Sequence, residues 1–388
     1  MSSPAHFTTN PVCWLFCTVI DNFGDIGVSW RLAQELHTRL GWEIYLFVDD
    51  VTALQTILPD APTQLPNQYR HIHLCDWRER EYADFQAASM PNIIIEMFAC
   101  DLPEDILHLI RSLKPIWLNW EYLSAEDWAI RTHAMPSLQA DGSQKYFWQM
   151  GFVPQSGGLL REQNYVNQYA DWKKRQPEKP VSGCPINIFA FGYASEIWAK
   201  WCKIFSTQSH PIILRTAGTQ IISSLKNAGL LPENALIQDT EYTLGSLKII
   251  CQDFVPQEQF DELLWASDIN IIRGEDSFIR AQYAAAPFLW HIYPQAEMAH
   301  LDKLDAFWQT FWQHVPNNLF QAALMALSDE LNGASVLSAA QRAEYWAILL
   351  ADLPEWQRIT QIWQQYLWTQ SDAVTRLAAW LCDGLVNP

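Results

Sequence analysis

Residues 12–30 have the sequence Val12-Cys-Trp-Leu-Phe-Cys-Thr-Val-Ile-Asp-Asn-Phe-Gly-Asp-Ile-Gly-Val-Ser-Trp30. The apolar run up to Ile20 is typical of a buried β-strand, and the part from Asp21 to Trp30 is typical of a glycine-bearing turn that leads into a helix. A strand, a turn and a helix in this order form the opening unit of a parallel, doubly wound sheet. Ligands bind to such sheets beyond the carboxyl ends of the strands, so we expect this turn to lie at a site.

The same alternation of strands and helices continues through the first half of the chain. Predicted strands are Val12–Ile20, Ile44–Val48, Ile72–Trp77, Asn92–Phe98, Pro115–Tyr122 and Lys145–Met150, and predicted helices include Val28–Leu40 and Pro103–Leu113. This pattern indicates an α/β fold whose parallel sheet is covered on both faces. We expect a first Rossmann-like domain over residues 1–170.

A second domain is predicted after a polar break. Residues 171–182 contain a charge cluster and two prolines that a core would not accept, which predicts a linker. Residues 183–365 are expected to form a second Rossmann-like domain, and residues 366–388 to form a helix that can pack back on the first domain. The predicted elements are strands at Ile186–Phe191, Ile212–Ala217, Leu247–Phe254, Ile269–Ile272 and Phe288–Ile292, and helices at Ser195–Phe205, Gln257–Ala266, Tyr345–Gln370 and Ala373–Leu385.

Composition narrows the class of protein. A chain of 388 residues with 49% hydrophobic and 18% charged residues is globular and long enough for two cores. A net charge of -18 disfavours nucleic acid as a partner, because binding to phosphates needs a basic surface. The eight cysteines and ten histidines show no metal-ligand spacing, so no metal site is predicted. The polar start of the chain and the lack of a long apolar stretch predict a cytoplasmic protein without a membrane span.

The first turn carries two acids, Asp21 and Asp25. With only Gly24 and Gly27 it lacks the glycine fingerprint of dinucleotide-binding sheets, and acids beside a phosphate would repel it. The pattern therefore favours catalytic or acceptor-binding carboxylates. The alternative is that Asp21 or Asp25 caps the helix that follows.

A second strand, turn and helix start occurs at Ile271-Ile-Arg-Gly-Glu-Asp-Ser-Phe278. The Arg273 guanidinium, the Ser277 hydroxyl and the N–H groups of a helix N-terminus together suit a diphosphate. Glu275 or Asp276 can then face a sugar hydroxyl. The alternative is a capped helix with a local ion pair.

Other strand ends offer weaker signals. Phe254 and Gln257 provide a ring and an amide of the kind that a nucleobase needs, although a core phenylalanine followed by a helical glutamine is the alternative. Tyr193 lies on a further strand-end turn. Glu96, Glu121 and Tyr122 are at the ends of strands of the first half and can line an acceptor pocket, or the two carboxylates can be structural.

Taken together, these segments closely resemble the EarP family of protein-arginine rhamnosyltransferases. The resemblance rests on Asp21–Trp30, Trp117–Glu126, Lys145–Trp148, Ser156–Leu159, Ala217–Gln220, Phe254–Gln257, Arg273–Phe278 and His291–Gln295. It implies a GT-B fold of two facing Rossmann-like domains with a helical C-terminal segment, in which residues 1–170 form the acceptor-binding domain and residues 183–365 the nucleotide-sugar-binding domain. It also implies inverting transfer of rhamnose from dTDP-β-L-rhamnose to an arginine of translation elongation factor P (EF-P), which activates EF-P for rescue of ribosomes stalled at polyproline.

The resemblance assigns roles to residues of the quoted motifs. Asp25 is implied as the general base, with Asp21 beside it and Glu275 as a further catalytic acid. The implied donor-binding residues are Asn22, Phe23, Gly24, Tyr193, Phe254, Gln257, Arg273, Gly274, Asp276 and Ser277, and the implied acceptor-binding residues are Glu121 and Tyr122. No cofactor or metal is expected. The alternatives are another sugar-nucleotide enzyme on the same scaffold, such as an epimerase or small-acceptor transferase, and a non-enzymatic partner of a translation factor.

Overall fold

The computed structural model describes residues 10–20, 23–77, 89–177, 184–233, 235 and 241–384. The chain divides into two compact units. The first unit comprises Met1–Val166 with Gln370–Pro388, and the second unit comprises Asn167–Thr369.

Each unit contains one largely parallel sheet. In the first unit the strands are β1 Val12–Cys17, β2 Glu43–Val48, β3 Asn67–Tyr69, β4 Ile72–Asp76, β5 Ile93–Met97, β6 Ile116–Trp120, β7 Pro136–Leu138 and β8 Gln144–Trp148. In the second unit they are β9 Ile186–Phe191, β10 Ile212–Ala217, β11 Glu241–Leu244, β12 Leu247–Gln252, β13 Ile269–Arg273 and β14 Phe288–His291.

Helices connect the strands and, in the described part of the chain, continue to Gly384. They are α1 Gly24–Leu40, α2 Val51–Ile57, α3 Glu104–Leu113, α4 Asp127–Thr132, α5 Tyr165–Arg175, α6 Ile197–Phe205, α7 Gln220–Asn227, α8 Gln257–Trp265, α9 Asp276–Tyr283, α10 His300–His314, α11 Gln321–Leu331, α12 Ala339–Ala351, α13 Leu353–Thr369 and α14 Ala373–Gly384, with a short 3-10 helix at Ala296–Met298.

The strand order creates one switch point in each sheet. Among the described residues the first sheet has the order β3-β4-β2-β1-β5-β6-β8-β7, and the second has the order β11-β12-β10-β9-β13-β14. The chain builds outward from β1 to β2 on one side and from β1 to β5 on the other, and β9 has the same relation to β10 and β13. In doubly wound sheets this point opens a crevice at the carboxyl ends of the strands.

Burial on both faces explains the continuous apolar strands. Residues 13–17 of β1 and all of β5 and β13 are buried, so no alternation of polar and apolar residues is needed. Aromatic side chains fill the core of the first unit, where the rings of Phe16 and Phe47 stack with centroids 4.6 Å apart. The predicted strands are therefore confirmed as strands of the two sheets, with β14 at the edge of the second sheet.

Several predicted boundaries are wrong. β1 ends at Cys17 rather than Ile20, and β12 ends at Gln252, two residues before Phe254. The single helix predicted over Tyr345–Gln370 is two helices, α12 and α13, because Pro354 lacks the N–H that a continuous helix would need and its ring crowds the preceding turn. The first five residues of the predicted linker, 171–175, belong to α5. The short edge strands β3, β7 and β11 were not predicted, since three or four exposed residues carry no clear period.

The last helix, α14, packs within the first unit. The guanidinium of Arg376 donates hydrogen bonds to the carbonyl oxygens of Val153 and Ser156, each at 2.7 Å. The ring of Trp380 meets the ring of Tyr146 edge-on at 5.0 Å. These contacts hold the C-terminal segment against the turn that follows β8.

Candidate active site

Asp25 lies at the switch point of the first sheet. It is the second residue of α1, directly beyond β1, and its side chain is buried with an exposed fraction of 2%. The backbone N–H of Ile20 donates to Oδ2 of Asp25 at 2.8 Å. The partial positive charge of the helix N-terminus also favours a carboxylate in this first turn. The structure thus places an acid where a doubly wound sheet binds its ligands.

The helix start does not follow the simple capping pattern. Phe23 is the N-cap residue of α1 and its side chain makes no capping hydrogen bond, while Gly24 is the first helical residue. Asp25 is in the first turn instead of at the cap. Asp21 and Asn22, which the sequence also points to, lie outside the described residues.

Two aromatic residues, Phe98 after β5 and Tyr122 after β6, stack on each other, and the hydroxyl of Tyr122 lies near Asp25. The hydroxyl of Tyr122 is 3.4 Å from Oδ1 of Asp25, and the Tyr122 ring stacks on Phe98 with centroids 4.2 Å apart. Phe98 and Ala99 have φ angles of 58° and 52°, a left-handed conformation that non-glycine residues seldom adopt. Such local strain persists only where the surroundings enforce it, and it clusters at functional sites.

Glu121 faces a different partner from its neighbour Tyr122. The Nδ2 group of Asn119 donates to Oε1 of Glu121, while Oδ1 of Asn119 accepts from the backbone N–H of Ala99 at 2.9 Å. Burial raises the pKa of Glu121, and the charge of Lys145 opposes this rise. Asn119 therefore links Glu121 to the loop that carries Phe98.

The second acid of this region, Glu96, has a structural partner. It is buried in β5 and forms an ion pair with Lys145 of β8, whose Nζ lies 4.8 Å from the centroid of Trp117 on the intervening strand β6. A buried charge needs such a partner, because an unpaired one is costly in a medium of low dielectric constant. The contacts support the structural interpretation for Glu96.

The thiol of Cys17 lies beside Asp25 but does not compete with it as a base. Burial raises its pKa well above the usual range, and the negative charge of Asp25 raises it further. Cys17 therefore stays protonated and neutral at physiological pH.

Arg273 occupies the switch point of the second sheet. It ends β13 and is buried, with an exposed fraction of 6%. Its guanidinium carbon lies 4.5 Å from the ring centroid of Phe191 and 4.8 Å from that of Tyr193, both at the end of β9. Two aromatic faces hold the cation by cation–π attraction and fix its plane.

A neutral histidine, His291, accepts a hydrogen bond from the backbone of Tyr193. The backbone N–H of Tyr193 donates to Nδ1 of His291 at 3.2 Å. Burial, with a contribution from the charge of Arg273, lowers the pKa of His291 to about 3. Gly192 is required beside them, because a Cβ at this position would come within 2.2 Å of the Trp198 ring. Close packing thus fixes one of the two rings that hold Arg273.

The turn after β13 brings the remaining predicted residues together. Gly274 has a φ of 67°, Glu275 is the N-cap of α9 without a capping hydrogen bond from its side chain, and Ser277 lies in the first turn, half-buried. The Nε2 group of Gln257, at the start of α8, is 3.4 Å from Oδ2 of Asp276. The starts of α8 and α9 are therefore adjacent.

One alternative for this region is wrong. Phe254 has an exposed fraction of 46%, so it is not a core phenylalanine. Glu275 forms an ion pair with Lys303 of α10, 28 residues later. Nothing in the local sequence around Lys303 signals this contact, and sequence reasoning missed it.

The described residues contain neither a cluster of metal ligands nor a helix that could span a membrane. In the described ranges, no group of three or more His, Cys, Asp or Glu side chains is arranged to hold a metal ion. No helix in the same ranges is both long enough and apolar enough to cross a membrane.

Nearly the whole chain, including both turns described above, is similar in sequence to known proteins. The family model described as Elongation-Factor P (EF-P) rhamnosyltransferase EarP matches residues 13–382. A protein-arginine rhamnosyltransferase of Neisseria meningitidis serogroup B is 48% identical over 378 residues, with 95% of this chain and 97% of the relative covered. A protein-arginine rhamnosyltransferase of Pseudomonas aeruginosa is 35% identical over 389 residues, with 96% and 99% covered.

Solved structures share the fold. One described as the structural basis for EarP-mediated arginine glycosylation of translation elongation factor EF-P has a TM-score of 0.63 at 24% identity and covers 96% of this chain and 98% of that chain. The MurG structure from Acinetobacter baumannii has a TM-score of 0.51 at 11% identity, with 97% and 100% covered. The predicted GT-B fold is confirmed, and the chain belongs to the EarP family of EF-P rhamnosyltransferases.

Proposed function

We propose that this protein transfers rhamnose from dTDP-β-L-rhamnose to an arginine side chain of EF-P, with inversion at the anomeric carbon. The observation that carries the proposal is the buried Asp25 carboxylate at the switch point of the first sheet. Family membership and the relatives' names support the choice of donor sugar and acceptor. The modified EF-P would then act on ribosomes stalled at polyproline, in the cytoplasm.

Asp25 is the proposed general base. A guanidinium has a pKa above about 12 and a delocalised lone pair, so it attacks poorly until a carboxylate orients it and removes a proton during attack. The Tyr122 hydroxyl, at 3.4 Å from Oδ1, lies beyond the usual range for an O–H···O hydrogen bond. An arginine N–H can replace this weak contact at low cost, while Ile20 keeps Oδ2 in place. Asp21 is the proposed supporting acid.

Arg273 and the start of α9 are the proposed diphosphate site. The guanidinium is already oriented by two rings, so little side-chain entropy is lost when it binds the diphosphate. Free N–H groups at the helix N-terminus and the Ser277 hydroxyl add hydrogen bonds to the leaving group. In this proposal these groups stabilise the departing charge, and the reaction uses no metal or cofactor.

The remaining predicted residues complete the proposal. The half-exposed Phe254 ring is available to stack on the nucleobase, with Gln257 as its hydrogen-bonding neighbour. Tyr193, Gly274 and Asp276 are proposed donor contacts of the second unit, and Asn22, Phe23 and Gly24 are proposed donor contacts by family resemblance. Glu121 and Tyr122 are proposed acceptor contacts, and the net charge of -18 favours a basic acceptor segment.

Intact-mass spectrometry tests the proposal directly. Purified protein is incubated with EF-P and dTDP-β-L-rhamnose, with EDTA present in a parallel sample. We expect EF-P to gain the mass of one deoxyhexose in both samples, and fragmentation to place the sugar on an arginine. EF-P that stays unmodified would overturn the proposed function, and modification that EDTA abolishes would overturn the metal-free mechanism.

A matched acceptor separates the alternatives. Replacing the modified arginine of EF-P by Lys should abolish the mass gain, whereas an enzyme with a small acceptor would be unaffected. Conversion of the donor without EF-P, observed by NMR of the sugar, would point to an epimerase instead.

A further inference from the structure

Lys303 links a separate helix to the catalytic turn of the second unit. It lies on α10, and its Nζ forms an ion pair with Oε1 of Glu275, the N-cap residue of α9. Both side chains are largely buried, with exposed fractions of 14% for Lys303 and 16% for Glu275. Charges so shielded from water interact more strongly than a surface pair, where such contacts contribute little.

The ring of Trp290 lies next to the Lys303 ammonium and helps to fix its position. Its Nζ lies 5.9 Å from the ring centroid of Trp290. That indole donates a hydrogen bond from Nε1 to the carbonyl oxygen of Gly274 at 2.6 Å, and its ring stacks on Phe278 with centroids 4.1 Å apart. The same side chain therefore contacts the turn and the lysine that reaches it.

The charges of the turn explain why a lysine is needed. Glu275 and Asp276 follow Arg273 on the same turn, beside the proposed diphosphate site. An unrestrained Glu275 carboxylate would turn toward nearby cations such as Arg273. The Lys303 ammonium, fixed on α10, holds this carboxylate in one direction.

We propose that Lys303 is the positioning residue for the Glu275 carboxylate, an inference that rests on the proposed function. Lys303 acts through Glu275, which the family resemblance implies as a catalytic acid, and not by direct contact with the nucleotide. Its loss therefore lowers the rate of transfer more than it lowers the affinity for the donor. A misplaced catalytic group of this kind reduces the rate by up to about 100-fold.

The test compares Lys303→Met and Lys303→Arg with a matched ion-pair control in the same unit. Lys248→Met removes an exposed pair with Glu241, whose Nζ to Oε2 distance is 2.8 Å. For Lys303→Met we expect a roughly 10- to 100-fold fall in kcat, while the donor KM and the Kd for dTDP, measured by calorimetry, change less than about threefold. Lys303→Arg keeps the charge and should retain most of kcat, and Lys248→Met should match the wild type.

A double-mutant cycle shows whether the effect passes through Glu275. In the Glu275→Gln background, Lys303→Met should cause no further fall in the single-turnover rate, because non-additive effects mark residues that act as a pair. The inference is overturned if the two losses multiply, if Lys303→Met behaves like Lys248→Met, or if a folded Lys303→Arg is as slow as Lys303→Met. If Lys303→Met does not fold, the inference is tested on Lys303→Arg, which should keep most of the wild-type kcat and a Kd for dTDP within about threefold of the wild-type value.

The outcome for Lys303 is separate from that for the proposed function. A wild-type protein that leaves EF-P unmodified refutes the proposed function whatever the lysine does. A wild-type protein that modifies EF-P, together with unchanged Lys303 variants, refutes this inference alone.

Discussion

Asp25→Asn should abolish transfer while leaving the fold nearly intact. The amide has the shape of the carboxylate, and its oxygen can accept the Ile20 N–H that Oδ2 now accepts at 2.8 Å. What is lost is the extra strength of a charged acceptor, about 1 kcal/mol, and the interaction with the helix N-terminus, about 0.3–1 kcal/mol. The fall in stability is therefore about 1–2 kcal/mol, which lowers Tm by a few degrees.

The expected loss of activity is much larger. An amide cannot accept the proton of the attacking guanidinium, and a general base contributes about 10²–10⁴ in rate, or roughly 3–5 kcal/mol. The assay follows single-turnover modification of EF-P by intact mass, with thermal melting and calorimetric dTDP binding on the same samples. The affinity for dTDP should be nearly unchanged, since the proposed contacts with the diphosphate and the nucleobase, at Arg273, Ser277 and Phe254, are in the second unit.

Asp49→Asn is the matched control for this experiment. Oδ1 of Asp49 accepts the backbone N–H of Val19 at 2.9 Å. The control therefore removes a similar charged acceptor, whose N–H donor is the residue before Ile20 in the same loop. Its transfer rate should stay close to that of the wild type. The assignment of Asp25 as base fails if Asp25→Asn keeps more than about a tenth of the rate, a far smaller loss than base removal causes. It also fails if the Asp49 variant is equally slow.

Three further changes have defined outcomes. Arg273→Met keeps the packing between two rings but removes a charged donor, so calorimetry should find dTDP binding weakened by roughly 10- to 100-fold; unchanged affinity would refute a diphosphate contact. Burial, aided by the charge of Glu162, raises the pKa of Glu35 to about 7 from 4.5, so the stability present below pH 4.5 is lost as pH rises through 7. Glu35→Gln should accordingly raise Tm at pH 8 and not at pH 5, and equal shifts at both values would contradict this sign. Arg342→Met leaves the buried Glu330 carboxylate without its ion-pair partner and should cost about 3–5 kcal/mol in urea unfolding, whereas a cost below about 1 kcal/mol would contradict it.

The central architecture was accessible from the sequence because it follows from local patterns. Strands buried on both faces are continuous apolar runs, and amphipathic helices repeat about every 3.6 residues, so the alternation of β1, α1 and β2 can be read directly. The turns after β1 and β13 stood out for the same reason, since glycine and charged residues directly follow buried strands.

Edge features and helix boundaries were less accessible. The strand β7 has three residues, two of them exposed, and pairs with β8 at the edge of the sheet. Its pairing depends on the neighbour and not on its own composition. The break before α13 carries a sequence signal in Pro354, and the helical period on both sides of it masked that signal.

By itself, the sequence determined two strand-turn-helix units, their acids and their arginine. Only the tertiary structure decided which side chains meet there: Tyr122 comes to Asp25 from 97 residues away, and Lys303 comes to Glu275 from 28 residues away. Local periodicity specifies the element to which a residue belongs, while contacts between elements depend on strand order and helix packing. For this reason the positions of Asp25 and Arg273 could be predicted, and their partners could not.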